Sequence, residues 1–115
     1  MTQRFDPEIM SLNQKRKINW LCFVAKDPRF HRKALTLRLA VYIFERYHTG
    51  LGYIEFSKTH AAKWLEVDPS QIVRCRQELV KLGWLKLVAP AKLTRKYYSA
   101  NRYDLTGGPE DYLLH

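Results

Sequence analysis

From Asp68 to Leu82 the chain reads Asp-Pro-Ser-Gln-Ile-Val-Arg-Cys-Arg-Gln-Glu-Leu-Val-Lys-Leu. If Ile72, Cys75 and Leu79 turn inward on a helix, Ser70, Gln71, Val73, Arg74 and Gln77 point outward near its N-terminal end. Lys81 follows further along the same helix. These side chains can read base edges: Arg pairs bidentately with guanine, Gln with adenine, and Val73 can meet a thymine methyl. A second group, Lys92, Thr94, Arg95 and Lys96, sits in a basic turn whose chemistry is phosphate binding. Lys58 and Thr59, at the start of a shorter helix, can reach phosphate too. For every one of these groups the plain alternative is an ordinary solvated face.

Catalysis finds no support. His31, His48, His60 and His115 are scattered over different segments and lack ligand spacing with Cys, Asp or Glu. They read as structural or surface side chains. There is no Gly-rich phosphate loop, no carboxylate pair on one helix face and no nucleophile motif. Cys22 and Cys75 lie far apart and in no C-x-x-C pair, so they are expected as buried thiols. The chain is therefore expected to be no enzyme and to use no cofactor or metal.

The charge points the same way as the outward side chains. Lys and Arg number 20 against 11 acids, a net charge of +9. Residues 69–103 carry eight basic groups and a single acid, Glu78, while residues 34–68 are balanced. Residues 1–33 hold a further surplus, and 104–115 hold three acids and no Lys or Arg. Charge segregated in this way suits a polyanionic partner, nucleic acid first and an anionic membrane second. No apolar run approaches the roughly 20 residues that span a bilayer. The start of the chain lacks the apolar centre of a secretory signal, so a cytoplasmic location and no membrane partner are expected.

The 115 residues, 46% of them hydrophobic, suit one packed domain. Residues 1–12 read as a flexible lead. Residues 13–26 read as a helix with Ile18, Leu21, Cys22 and Ala25 at helical spacing, ended by Asp27-Pro28. A second helix, 36–48, starts at Thr36 as a cap and carries Leu37, Ala40, Val41, Phe44 and Tyr47 on one stripe. Residues 53–56 read as a short strand, and Ser57 caps a helix over 58–65. Asp68-Pro69 starts the helix over 69–82, which Gly83 closes. Residues 84–88 and 96–105 read as two strands joined by the turn 90–95, and 106–115 as an acidic flexible tail.

Helix, strand, two helices joined by a tight turn, then a hairpin is the order of a winged helix. The expected fold is mainly α with a small β-hairpin (α+β), a winged helix-turn-helix over 13–105 with an extra N-terminal helix. The chain resembles the bacterial helix-turn-helix domains common in plasmid, phage and other mobile-element replication and regulatory proteins. The matching residues are Asp27-Pro28-Arg29, the apolar helix 35–47, Ser57 to Ala62, Leu65 and Val67. They continue with Gln71-Ile72-Val73-Arg74-Cys75, Leu79, Gly83, Leu85 and Asn101-Arg102-Tyr103-Asp104-Leu105. Three positions depart. Glu66 stands where Gly is usual, which implies a less tight turn. Arg76 stands where an apolar residue is usual, which implies shallower packing or an added DNA or partner contact. Ala61 replaces a larger apolar residue, and Trp20, Trp64 or Trp84 could fill that space.

The reading that results is a sequence-specific binder of double-stranded DNA, a transcriptional regulator or a replication or transfer control protein. Helix 69–82 would read the major groove and the wing 90–96 would contact backbone or minor groove. The alternative is a winged-helix protein-interaction module, an adaptor or anti-regulator. A nonspecific architectural binder is a third reading. A homodimer or a protein partner stays open, with 13–26 and the segment after 105 as contact surfaces, and Lys15-Arg16-Lys17 fits phosphate binding or a solvated face equally.

Overall fold

The computed structural model describes residues 6–90, 92–93 and 98–107, with side chains described up to Pro90 and again from Ala100. Four α-helices and an antiparallel three-stranded sheet make a mixed α+β architecture.

Helix α1 spans Pro7–Lys26. It starts six residues before the expected boundary. Asp6 accepts a hydrogen bond from the Glu8 amide at 2.8 Å and Pro7 fills the first helical position, so a complete N-terminal signal precedes the apolar pattern. Residues 7–12, expected in a flexible lead, are thus helical. The inward face also differs from expectation. Asn13, Trp20 and Val24 are buried, while Ile18, Cys22 and Ala25 are exposed. Apolar residues lie all round this helix, and its large aromatic side chain decides which face docks. Cys22 is accordingly not a buried thiol, and Cys75 is only half-buried; both are free. Asp27 ends α1 and caps the short 3₁₀ turn Pro28–Phe30 that follows.

Helix α2 spans Ala34–Arg46. It begins ahead of Thr36, which is no cap: Thr36 is buried and its hydroxyl donates to Glu78 Oε1 at 3.3 Å. Leu39, Ala40, Ile43 and Tyr47 face the core and Tyr42 joins them, whereas Val41, expected on the inner stripe, is exposed. Tyr47 already leaves the helix in extended geometry, and His48 bridges to Tyr53 across the turn.

Strand β1 is Ile54–Phe56 and helix α3 is Lys58–Leu65, with Ser57 Oγ accepting from the His60 amide. Glu66 ends α3 in the left-handed region, φ 58° and ψ 47°, and the Val67 amide reaches back to the Ala62 carbonyl. This is a Schellman closure. The turn is therefore as tight as a glycine would make it, contrary to the looser turn expected from Glu66, at a conformational cost of about 1 kcal/mol. Only Glu66, Val67 and Asp68 separate α3 from helix α4, Pro69–Lys81. Gly83, at φ 86°, closes α4 in the same manner, with the Trp84 amide bonded to the Leu79 carbonyl.

Strand β2, Leu85–Ala89, pairs antiparallel with β5, Asn101–Leu105, and β5 pairs with β1, giving the order β1-β5-β2. A register shift lies between Leu87 and Ala89. Beyond it, β3 (Lys92–Leu93) pairs with β4 (Tyr98–Ser99) and prolongs the hairpin. The expected turn 90–95 is thus partly strand, and the expected return strand is split at Ala100. Among the described residues no helix is long and apolar enough to cross a membrane.

The core joins every layer. Trp20, Phe30, Leu39, Ile43, Ile54, Ile72, Leu79 and Leu105 are almost fully buried. Truncating one such aliphatic side chain to Ala typically costs about 2–5 kcal/mol. Two indoles fix the end of α4 against α1: Trp20 Nε1 donates to the Trp84 carbonyl and Trp84 Nε1 to Asp27 Oδ2, each at 2.8 Å. Arg16 contributes to the same joint, donating to the Leu105 carbonyl at 3.3 Å and standing 3.6 Å from Asp104. Lys17 lies 4.8 Å over the Phe44 ring. Two of the three cations in Lys15-Arg16-Lys17 therefore serve packing within the chain.

Candidate nucleic-acid interface

Helix α4 presents its polar face because its apolar one is fully engaged. Ile72 and Leu79 point into the core, Val73 (expected outward), Cys75, Arg76 and Glu78 lie half-buried at the margins, and Ser70, Gln71, Arg74, Gln77 and Lys81 are exposed. At about 100° per residue, Ser70, Arg74, Gln77 and Lys81 stack into one stripe opposite the core. Gln71 stands on one flank of that stripe and Val73 on the other.

The helix is held from two sides. Glu78 takes the Thr36 hydroxyl and forms an ion pair with Lys33 at 3.4 Å, pinning α4 to the start of α2. Arg38 donates to the Leu65 carbonyl at 3.1 Å, which fixes α3 against α2. The N-terminus of α4 is capped by Asp68, whose Oδ1 accepts from both the Ser70 amide (2.8 Å) and the Ser70 hydroxyl (2.7 Å). Those hydrogen bonds hold the Asp68 carboxyl below the usual carboxylate range. Two consequences follow. The Ser70 hydroxyl is committed to the cap, so it is not a free donor to a ligand. A carboxylate also stands at the helix start, where the helix dipole by itself would favour an anionic ligand. Anion contacts are better made at the flanks of α4 than at its tip.

Both flanks carry clefts. One, between α4, α3 and the sheet, is lined by Lys58, Thr59, Val73, Arg76 and Asn101 among others. The structure thus brings the expected Lys58 and Thr59 together with Val73. It also explains Arg76: its guanidinium lies 5.6 Å from the Phe56 ring and 5.9 Å from the Tyr103 ring, packed on aromatics in place of an aliphatic side chain. Because Arg76 is packed and also borders the cleft, its two sequence readings do not exclude each other. The other cleft, of about 260 Å³, lies between α4 and the start of α2 and includes Arg32, Lys33, Gln71, Arg74 and Glu78. The sequence reading missed Arg32, Lys33 and Asn101. All three lie outside the helix pair, and only the packing of α2 and β5 against α4 carries them to it.

The basic hairpin is described in part. The backbone of Lys92 lies in β3, paired with Ser99. Thr94, Arg95 and Lys96 lie outside the described residues.

Away from α4, Tyr42 Oη and His60 Nδ1 lie 2.7 Å apart, and Arg46 lies 3.1 Å from His60 Nε2. Arg46 only donates, so Nε2 accepts and Nδ1–H donates to the tyrosine oxygen. Trp64 packs on Tyr42 at 5.4 Å between centroids and stays 45% exposed. Among the described residues no three His, Cys, Asp or Glu side chains gather to hold a metal ion. Comparison with protein-family models, curated proteins and solved structures finds no match, so the interface is read from its own geometry and charge.

Proposed function

We propose that this chain is a winged helix-turn-helix protein that binds double-stranded DNA and reads its sequence through α4. In this reading α3, the three-residue turn and α4 are the helix-turn-helix, and the β2–β5 hairpin with β3 and β4 is the wing. The observation that carries it is the exposed stripe of Arg74, Gln77 and Lys81 on a helix with a cation-bearing cleft on each flank. A helix with its side chains is about 10–12 Å across and the B-DNA major groove is about 12 Å wide, so one face of α4 meets bases while the flanks meet backbone. Arg74 and Gln77 have the donors and acceptors for guanine and adenine, with Gln71 beside them. Lys58 and Thr59 are placed for phosphate, as are Lys92, Thr94, Arg95 and Lys96 of the wing by their position in sequence.

The role such binding would serve is regulatory: control of transcription, or of replication or transfer of a mobile element, in the cytoplasm of a bacterium. A single small domain covers few base pairs, so specific binding would draw on a homodimer or a protein partner.

A second reading, a protein-interaction module, is favoured by one feature, the half-exposed Trp64. On α3 it stands about 140° round the helix from Thr59, on the flank away from the cleft beside Val73. Binding to random duplex and to a selected sequence pool at two salt concentrations separates the two. DNA binding predicts an affinity that falls steeply with salt, relaxed sequence choice for Arg74→Ala, and uniformly weaker binding for a Lys92/Arg95/Lys96→Ala variant. Absence of duplex binding at low salt would overturn the proposal and leave the interaction module.

A further inference from the structure

Of the cleft between α4 and the start of α2, Gln71 and Arg74 are used in the contacts inferred above, whereas Arg32 and Lys33 have no role in them. Three of its side chains are cations, Arg32, Lys33 and Arg74, against one acid, Glu78. Glu78 is already engaged by Lys33 and by the Thr36 hydroxyl. Arg32 and Arg74 are exposed, and no described carboxylate pairs with either. The cleft thus keeps a surplus of positive charge that nothing described in the chain neutralises. Gln71 adds an amide to its wall.

Position gives the cleft its meaning. Seen down α4, the cleft with Gln71 and Arg74 is on one side and the cleft with Val73, Lys58 and Thr59 is on the other. A helix seated in a major groove is bordered on each side by one sugar–phosphate strand. Lys58 and Thr59 serve one strand, and the strand opposite runs along the α2-side cleft with Arg32 and Lys33.

From this we infer a second backbone-binding site: Arg32 and Lys33, with Arg74 at its edge, hold a phosphodiester of the strand on the α2 side of the groove. The inference rests on the reading that α4 enters the major groove. Glu78 is its positioning residue: its ion pair holds Lys33 against α4 while leaving Arg32 to the ligand. Arg74 then borders both strand and bases, so its guanidinium is oriented by the phosphate it approaches. The chemistry is that of a phosphate monoanion, which a free phosphate ion shares, and the test separates the two sources.

The test compares wild type, Arg32→Ala/Lys33→Ala and the charge-preserving Arg32→Lys/Lys33→Arg by the salt dependence of duplex binding. Both residues are exposed, and thermal melting checks that each variant folds. Each phosphate left without its cations lowers the slope of log affinity against log salt by about 0.9, so the double Ala variant, which releases one phosphodiester, should lose about 0.9. Its binding should weaken by one factor on every sequence, with base preference unchanged, and the charge-preserving variant should keep the wild-type slope. A duplex with one neutral methylphosphonate on the α2-side strand should weaken wild type and leave the double Ala variant unaffected. A double Ala slope equal to wild type overturns the inference while leaving DNA binding by α4 intact. Loss of all wild-type duplex binding overturns both. Inorganic phosphate that shifts the Arg32 and Lys33 amides at millimolar concentration, where duplex does not, makes this a free-anion site and overturns the backbone assignment.

Discussion

Asp27→Asn tests how the end of α4 is anchored. The carboxylate receives the Arg29 guanidinium at 2.7–3.0 Å, the Arg29 amide at 2.9 Å and the Trp84 indole at 2.8 Å, and its side chain is only 5% exposed. The Arg29 guanidinium bond dominates; burial opposes it, and the Arg29 amide and Trp84 indole add to it, holding the carboxyl at about 2 against an ordinary 3.8. Fully expressed, that difference is worth about 2 kcal/mol. The Arg29 head is half exposed, at 53%, so screening by water reduces the expected gain to about 1–2 kcal/mol. Asn keeps an oxygen for the Trp84 indole but removes the charge and the second acceptor, so the substitution reads the carboxylate's charge together with its bonds to Arg29. Because the folded-state value is depressed, the stabilisation is complete above pH 4, is lost as pH falls from about 4 to about 2, and is absent below. Urea unfolding of wild type and variant from pH 7 to pH 2.5 should show a gap of about 1–2 kcal/mol that closes toward the acid end. A gap of constant size across that range, or none at pH 7, would refute the anchoring argument.

Two further substitutions probe the joints around the interface. Gly107→Ala should destabilise by about 1–3 kcal/mol, because a Cβ there would lie 2.6 Å from Trp84 Cε3 and 2.9 Å from the Gly83 carbonyl at a φ of 90°; a melting temperature within a degree of wild type would contradict this packing. Arg16→Ala should cost about 1–2 kcal/mol of stability through its lost bonds to β5, with duplex affinity per folded molecule unchanged; a loss of affinity at unchanged stability would instead place Arg16 on DNA.

The helix pair was legible because its punctuation is local. Ser57, Asp68-Pro69 and Gly83 act on their own neighbours, and all three sit where the sequence puts them. The order of elements and the outward residues of α4 followed from the same signals. What was not legible depended on contacts distant in sequence. Thr36 looks like a cap until Glu78 arrives from α4 to take its hydroxyl. The inner face of α1 could not be chosen from a helix that is apolar all round, since Trp20 docks only where the Trp84 carbonyl is waiting, 64 residues away. Glu66 shows a third kind of failure: closure of the helix pair imposes a left-handed backbone on a residue that does not favour it. For the interface, the stripe on α4 could be read from period alone, but Arg32, Lys33 and Asn101 could not.

The most direct measurement is an NMR titration of the protein with duplex DNA, following backbone amides. DNA binding through α4 predicts shifts concentrated at Lys58 and Thr59, from Gln71 to Gln77, and in the β2–β5 hairpin, fading as salt is raised. Shifts centred instead on His60 and Trp64, or none at low salt, would contradict it.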